Sequence, residues 1–138
     1  MPDQTALSDY LVLSRGQWDA DASKEEIQAA IDCFYVWYEQ LVAQGTVKRG
    51  QRLARERKTV SRGGVVDGPF AETKEMIGGY WIIVAASLEQ ASEIAARNPC
   101  LAFGLSYEIR PLEPVRASAY AQACETPGDA PQPGAMRP

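Results

Sequence analysis

The chain has 138 residues, 46% apolar and 23% charged, which suits one soluble globular unit and leaves too little chain for two separate cores. A formal net charge of −4 argues against general affinity for nucleic acid or an anionic membrane. The complete lack of histidine removes the commonest general base, the Ser-His and Cys-His nucleophile pairs and every imidazole metal site.

The first residues, Met1-Pro2-Asp3-Gln4-Thr5, carry neither a basic nor an apolar leader, and no apolar run approaches the roughly 20 residues that span a bilayer. Tyr10 to Ser14 is a β-compatible apolar run closed by Arg15-Gly16, and it predicts a first strand. Ser23 with Glu26 forms a capping box. Ile27, Ala30, Ile31, Phe34, Tyr38, Leu41 and Val42 then recur at helical spacing until Gly45. Tyr35, Val36 and Trp37 add bulk outside that stripe and imply a second packing surface on the helix.

Thr46 to Leu53 reads as a second strand, and Lys58 to Val66 as a hairpin turning at Arg62-Gly63-Gly64. After Gly78-Gly79 the run Tyr80 to Val84 has large apolar groups at successive positions, so both faces of this strand are expected to be covered. Ser87 with Gln90 predicts a second capping box, with a stripe of Leu88, Ala91, Ile94 and Ala95 ending at Asn98-Pro99. Phe103, Leu105, Tyr107 and Ile109 alternate with polar residues as a last strand.

This order is an α+β, ferredoxin-like β-α-β-β-α-β pattern with an inserted hairpin. Both helices belong on one face of such a sheet, so the other face would expose Trp81 or Tyr80 unless something covers it. A patch that large is rare on monomers, and a homodimer packed through its sheet faces is expected. Residues 1–116 form the domain. The Ala- and Pro-rich segment 117–138 is a C-terminal extension expected to lack order from about Thr126, with a short helix over 117–125 as the alternative.

The three cysteines, Cys33, Cys100 and Cys124, are scattered without C-x-x-C spacing, so neither a disulfide framework nor a zinc site is expected, and a reducing cytoplasm is the simplest location. Cys33 is expected in the core and Cys100, beside Pro99, nearer solvent. Without a histidine to activate them, thiol catalysis is not expected.

The string Asp67-Gly68-Pro69-Phe70-Ala71-Glu72-Thr73-Lys74-Glu75 is followed by Gly78-Gly79-Tyr80, then by Ser87, Leu88, Ala91 and Pro99 in the second helical segment. Over roughly Tyr10 to Pro114 the chain resembles YCII-related proteins that carry the DGPF signature. That resemblance implies a ferredoxin-like fold, pairing into a dimeric α/β barrel and a cleft near the dimer interface; no cofactor is expected. The wider superfamily includes isomerases, monooxygenases and dehalogenating enzymes. Many relatives without the signature carry a His-Asp pair, whose histidine aligns near Phe34; this chain has no such histidine, so that acid-base chemistry is not carried over.

Gly68 and Pro69 are expected to make a rigid turn. Two roles suit Asp67: bracing the turn through backbone N–H groups with Phe70 as its anchor, or acting as a general base in a partly desolvated cleft. Gly68, Pro69, Phe70, Glu72, Lys74 and Arg15 are the candidate ligand-binding residues. Lys74 in particular suits a carboxylate or enolate, although Glu72 and Lys74 equally suit a solvated, ion-paired face. No G-x-x-x-x-G-K-[ST] loop accompanies Thr73-Lys74, so nucleotide binding by that route is not expected.

Gly78-Gly79 would admit either a ligand or a strand irregularity. The basic stretch Lys48, Arg49, Arg52, Arg55, Arg57, Lys58 and Arg62, broken only by Glu56, suits a solvated hairpin or a surface that steers anions. Three functions remain in view: binding of a small organic anion, an isomerase, lyase or monooxygenase using Asp67, and a regulatory role tied through the resemblance to sigma-factor signalling.

Overall fold

A computed structural model describes residues 6–67 and 77–128, with the side chains of Val66 and Asp67 outside the description. The strands are β1 (Ser8–Gly16), β2 (Val47–Arg52), β3 (Lys58–Ser61), β4 (Gly64–Asp67), β5 (Ile77–Ala85) and β6 (Leu105–Pro111). The helices are α1 (Lys24–Ala43) and α2 (Leu88–Ala95), and a short 3-10 helix spans Pro99–Phe103. The main sheet runs β2-β5-β1-β6 with every neighbouring pair antiparallel, and β3-β4 forms a separate two-stranded sheet. This is the expected ferredoxin-like arrangement with its inserted hairpin.

Local chemistry starts the helices where the sequence indicates. Ser23 Oγ accepts from Glu26 N at 3.0 Å, and Glu26 Oε1 accepts from Ser23 N at 2.8 Å, so two otherwise orphaned donors of α1 are satisfied reciprocally. The start of α2 departs from the expected box. Ser87 Oγ accepts from Gln90 N, but the Gln90 amide reaches past Ser87 to take Ala86 N at 2.6 Å.

Strand alternation then decides the layers. Tyr10 and Val12 on β1, Trp81, Ile83 and Ala85 on β5, and Val47 on β2 face the helices and are buried, with Tyr107 and Ile109 of β6 packed against them. Tyr38, Phe34, Trp37, Leu41 and Val42 of α1, with Ala91, Ile94 and Ala95 of α2, close this side. Trp81 sits among Phe34, Trp37, Tyr38 and Tyr107, with ring centroids between 5.6 and 6.3 Å away. Tilted and edge-on pairs of this kind add about 0.5–1.5 kcal/mol each beyond the area they bury.

Trp37 thus belongs to the core rather than to a second surface, because α1 lies with that ring over Trp81; Tyr35 and Val36 do remain exposed. Cys33 and Cys100 reverse their expected places. Cys33 projects from the outer side of α1 and is exposed, whereas the 3-10 helix tucks Cys100 under α1, its thiol 3.9 Å from the Ala30 carbonyl.

The far side of the sheet carries Leu11 and Leu13 of β1 and Tyr80, Ile82 and Val84 of β5, half-buried or, for Tyr80, 36% exposed. Trp81 points to the helices and Tyr80 away from them. The expectation that β5 is covered on both faces therefore holds within this chain for the helix side alone.

Phe103 leaves the predicted last strand. Gly104 takes φ +110°, a left-handed conformation that ends the 3-10 helix and starts β6 one residue later. Residues 112–128 run in turns and bends with no helix over 117–125. Residues 129–138, within the segment expected to lack order, lie outside the described residues.

Candidate functional site

Strand register brings one end of the sheet to the segment that the sequence singles out. Ile77, the first residue of β5, pairs with Arg15, and Gly79 pairs with Ser14 across a register shift between Ser14 and Arg15. On the other side of β1, Ser14 pairs with Tyr107 and Arg15 with Ser106. The segment that follows Asp67 therefore re-enters the fold beside the last residues of β1 and the first residues of β6. The Asp67 side chain, and Gly68, Pro69, Phe70, Glu72 and Lys74, lie outside the described residues, and Asp67 is placed only by its backbone pairing with Lys58. Arg15 is the one candidate whose side chain is described.

Arg15 stands on the far side of the sheet, where its Nε donates to Glu108 Oε1 at 2.7 Å. Glu108 also has Arg110 Nη1 at 3.7 Å from its second oxygen, and Arg110 Nη2 lies 2.9 Å from the Cys124 sulfur. At the other side of the sheet, Lys48 Nζ meets Asp9 at 2.9 Å. The half-buried apolar strip Leu11, Leu13, Tyr80, Ile82 and Val84 runs between these charged borders.

On the helix side of the same sheet end, a small buried polar group surrounds Tyr107. Burial pushes its phenol up to about 12, and Ser14 and Asn98 offset that only in part. Tyr107 is accordingly a proton donor at neutral pH and not a base. Burial likewise raises the Cys100 thiol, with Tyr107 acting in the opposite sense, so Cys100 is no thiolate nucleophile. Asn98 Oδ1 accepts from Cys100 N at 2.8 Å and caps the 3-10 helix, which fixes the amide's orientation. Its Nδ2 lies near the Tyr107 oxygen but completes no hydrogen bond.

Sequence reasoning did not single out Tyr107, Asn98 or Ser14 as a group. They are 9 to 93 residues apart in the chain, and the Ser14 to Tyr107 register brings the two ends of that span together. Glu108 and Arg110 were legible as polar positions of the last strand, but their pairing with Arg15 was not.

Gly79 is occupied by structure. A Cβ there would stand 2.8 Å from the Gln51 carbonyl oxygen and 3.1 Å from Arg52 Cα, so its bare backbone admits strand β2 and no ligand. Within the basic stretch, Arg49 forms a two-pronged pair with Glu39 of α1 at 2.6 and 2.5 Å. That pair holds Glu39 below the ordinary carboxylate value and raises Arg49. Among the described residues no group of three or more Cys, Asp or Glu could hold a metal ion, and no helix is long and apolar enough to cross a membrane.

The model of the YCII-related domain matches residues 10–115, a span that contains both helices and all of the main sheet but the first two residues of β1. The chain belongs to the YCII-related family. An uncharacterized protein of Rhizobium meliloti (strain 1021) is 48% identical to the chain over 52 residues. The alignment takes in 35% of this chain and spans 40% of the relative's length.

Proposed function

We propose that this YCII-related protein binds a small organic anion and works as a cytoplasmic homodimer whose two sheets face each other. The observation that carries the reading is the far side of the sheet, where Leu11, Leu13, Tyr80, Ile82 and Val84 form an apolar strip bordered by Arg15, Glu108 and Arg110. Strips of this kind on small proteins are commonly interaction surfaces. A second copy laid over it encloses a hollow with apolar walls and guanidinium groups at its border. Such a hollow fits an acid with an aromatic or aliphatic body, the body against the leucines and isoleucine and the carboxylate toward the arginines.

The test combines sedimentation of the full chain with calorimetric titration against a panel of aromatic and aliphatic carboxylic acids. A dimer at micromolar concentration that takes up at least one acid is expected. Leu13→Glu should give a folded monomer that no longer binds, and Arg15→Gln a dimer that binds at least tenfold more weakly. A monomeric wild type, or binding indifferent to both substitutions, would remove the reading.

A further inference from the structure

The hairpin β3-β4 buries none of its described side chains. Val60 and Val65 pair directly opposite each other, yet they are 73% and 62% exposed. The two strands form a sheet of their own, and a two-stranded hairpin by itself is marginal in water. An apolar cross-strand pair left in solvent on such an element is a contact waiting for a surface.

The charge on this region indicates which surface. Residues 48–62 hold seven of the fourteen basic residues and one of the eighteen acids, so the rest of the chain carries seven basic and seventeen acidic residues. Lys48 and Arg49 meet Asp9 and Glu39 of their own chain, whereas the side chains of Arg52, Arg55 and Arg62 make no hydrogen bond or ion pair among the described residues. The two helices, meanwhile, expose Glu25, Glu26, Asp32, Glu89 and Glu93, with Lys24 the single base on either.

We propose that β3-β4 is a dimer arm that sets Val60 and Val65 against a second copy of this chain and its arginines against that copy's acidic surface. The inference rests on the sheet-face dimer proposed above and adds a second, charge-guided contact to it. A second copy is favoured over a foreign acidic partner because the chain itself carries the complement in excess, and two-fold pairing then satisfies both arms at once. The arm leaves from the edge of the main sheet. It follows β2, an outer strand of the sheet whose far side the second copy would cover, and Leu53 N bonds to Gly78 O at 2.9 Å where it departs.

Two variants of the full chain test the arm: Val60→Ser with Val65→Ser, and Arg55→Glu with Arg62→Glu. Both alter exposed side chains only, so each should keep the wild-type circular dichroism and, at dilutions where the chain is monomeric, the wild-type melting profile. Sedimentation should show each dimer weakened at least tenfold. The wild-type dimer should also weaken with added salt, and the charge-reversed one should not. Amide exchange over 58–67 should slow only at concentrations where the wild type is dimeric. Unchanged dimer affinity in both variants, with exchange over 58–67 independent of concentration, would overturn the arm while leaving the sheet-face dimer standing. A wild type that stays monomeric would overturn both.

Discussion

Arg15 Nε donates to Glu108 Oε1 at 2.7 Å, a contact that joins the end of β1 to the last strand on the side of the sheet away from the helices. The two side chains keep 25% and 38% of their surface exposed, so solvent screens the pair and it contributes at most about 1 kcal/mol to folding. Glu108→Gln, which removes that pair and leaves Arg15 in place, should therefore shift urea unfolding by no more than about 1 kcal/mol. A larger loss would show that the pair is held more rigidly and with less solvent screening than its exposure implies.

Trp81 and Tyr80 are neighbours in sequence with opposite roles. Trp81→Ala removes the ring at the centre of the aromatic group and should cost about 3–5 kcal/mol in chemical denaturation. Tyr80→Ala should leave the melting of dilute protein within about 1 kcal/mol of wild type. Its effect should appear instead as weaker dimerisation in sedimentation.

Gly79→Ala forces a methyl group to 2.8 Å from the Gln51 carbonyl oxygen, and backbone cannot swing aside as a side chain can. A loss of about 1–3 kcal/mol is expected, as for overpacking elsewhere. Equal stability of the alanine variant would show that β2 can shift away from β5 at little cost.

The Ser23 cap can be removed separately. Ser23→Ala deletes the acceptor of Glu26 N and should cost about 1 kcal/mol, measured by denaturation. The loss should fall on the first turn of α1, where amide exchange at Glu26 is expected to accelerate.

Tyr107 supplies a pH dependence. Its phenol is pushed up to about 12 in the fold against an ordinary value of 10, so the folded chain holds a proton that the unfolded chain releases first. Its contribution to stability is complete below pH 10 and disappears as pH rises from 10 to about 12. Tyr107→Phe should flatten that part of the stability profile. An unchanged profile in the phenylalanine variant would assign the alkaline loss to other groups.

Much of the fold was legible because its signals are local. A capping serine lies three residues from its partner, a helical stripe repeats every three or four, and alternation marks a strand within five. Ser23 with Glu26, the stripe from Ile27 to Val42, the turn at Arg62-Gly63 and the stop at Gly45 all depend on neighbours only. So did the order of elements, and the YCII-related character that follows from their sequence. Gln90 shows where this reading stops: the spacing to Ser87 was right for a box, but Ala86 N offered the amide side chain a bond at 2.6 Å.

What the tertiary structure alone decided depends on which strand lies beside which and in what register. Alternation divides Tyr80 from Trp81 but does not say which of them meets the helices; the pairing of Val12 with Trp81 does. Helical spacing could not show that Trp37 reaches Trp81, that Cys33 faces solvent or that Cys100 lies under α1. The union of Ser14, Asn98, Cys100 and Tyr107, and the bond from Arg15 to Glu108, depend on contacts between positions far apart in the chain. No local pattern encodes such contacts, because they arise when the burial of one whole side of the sheet selects a single register and carries every other side chain along with it.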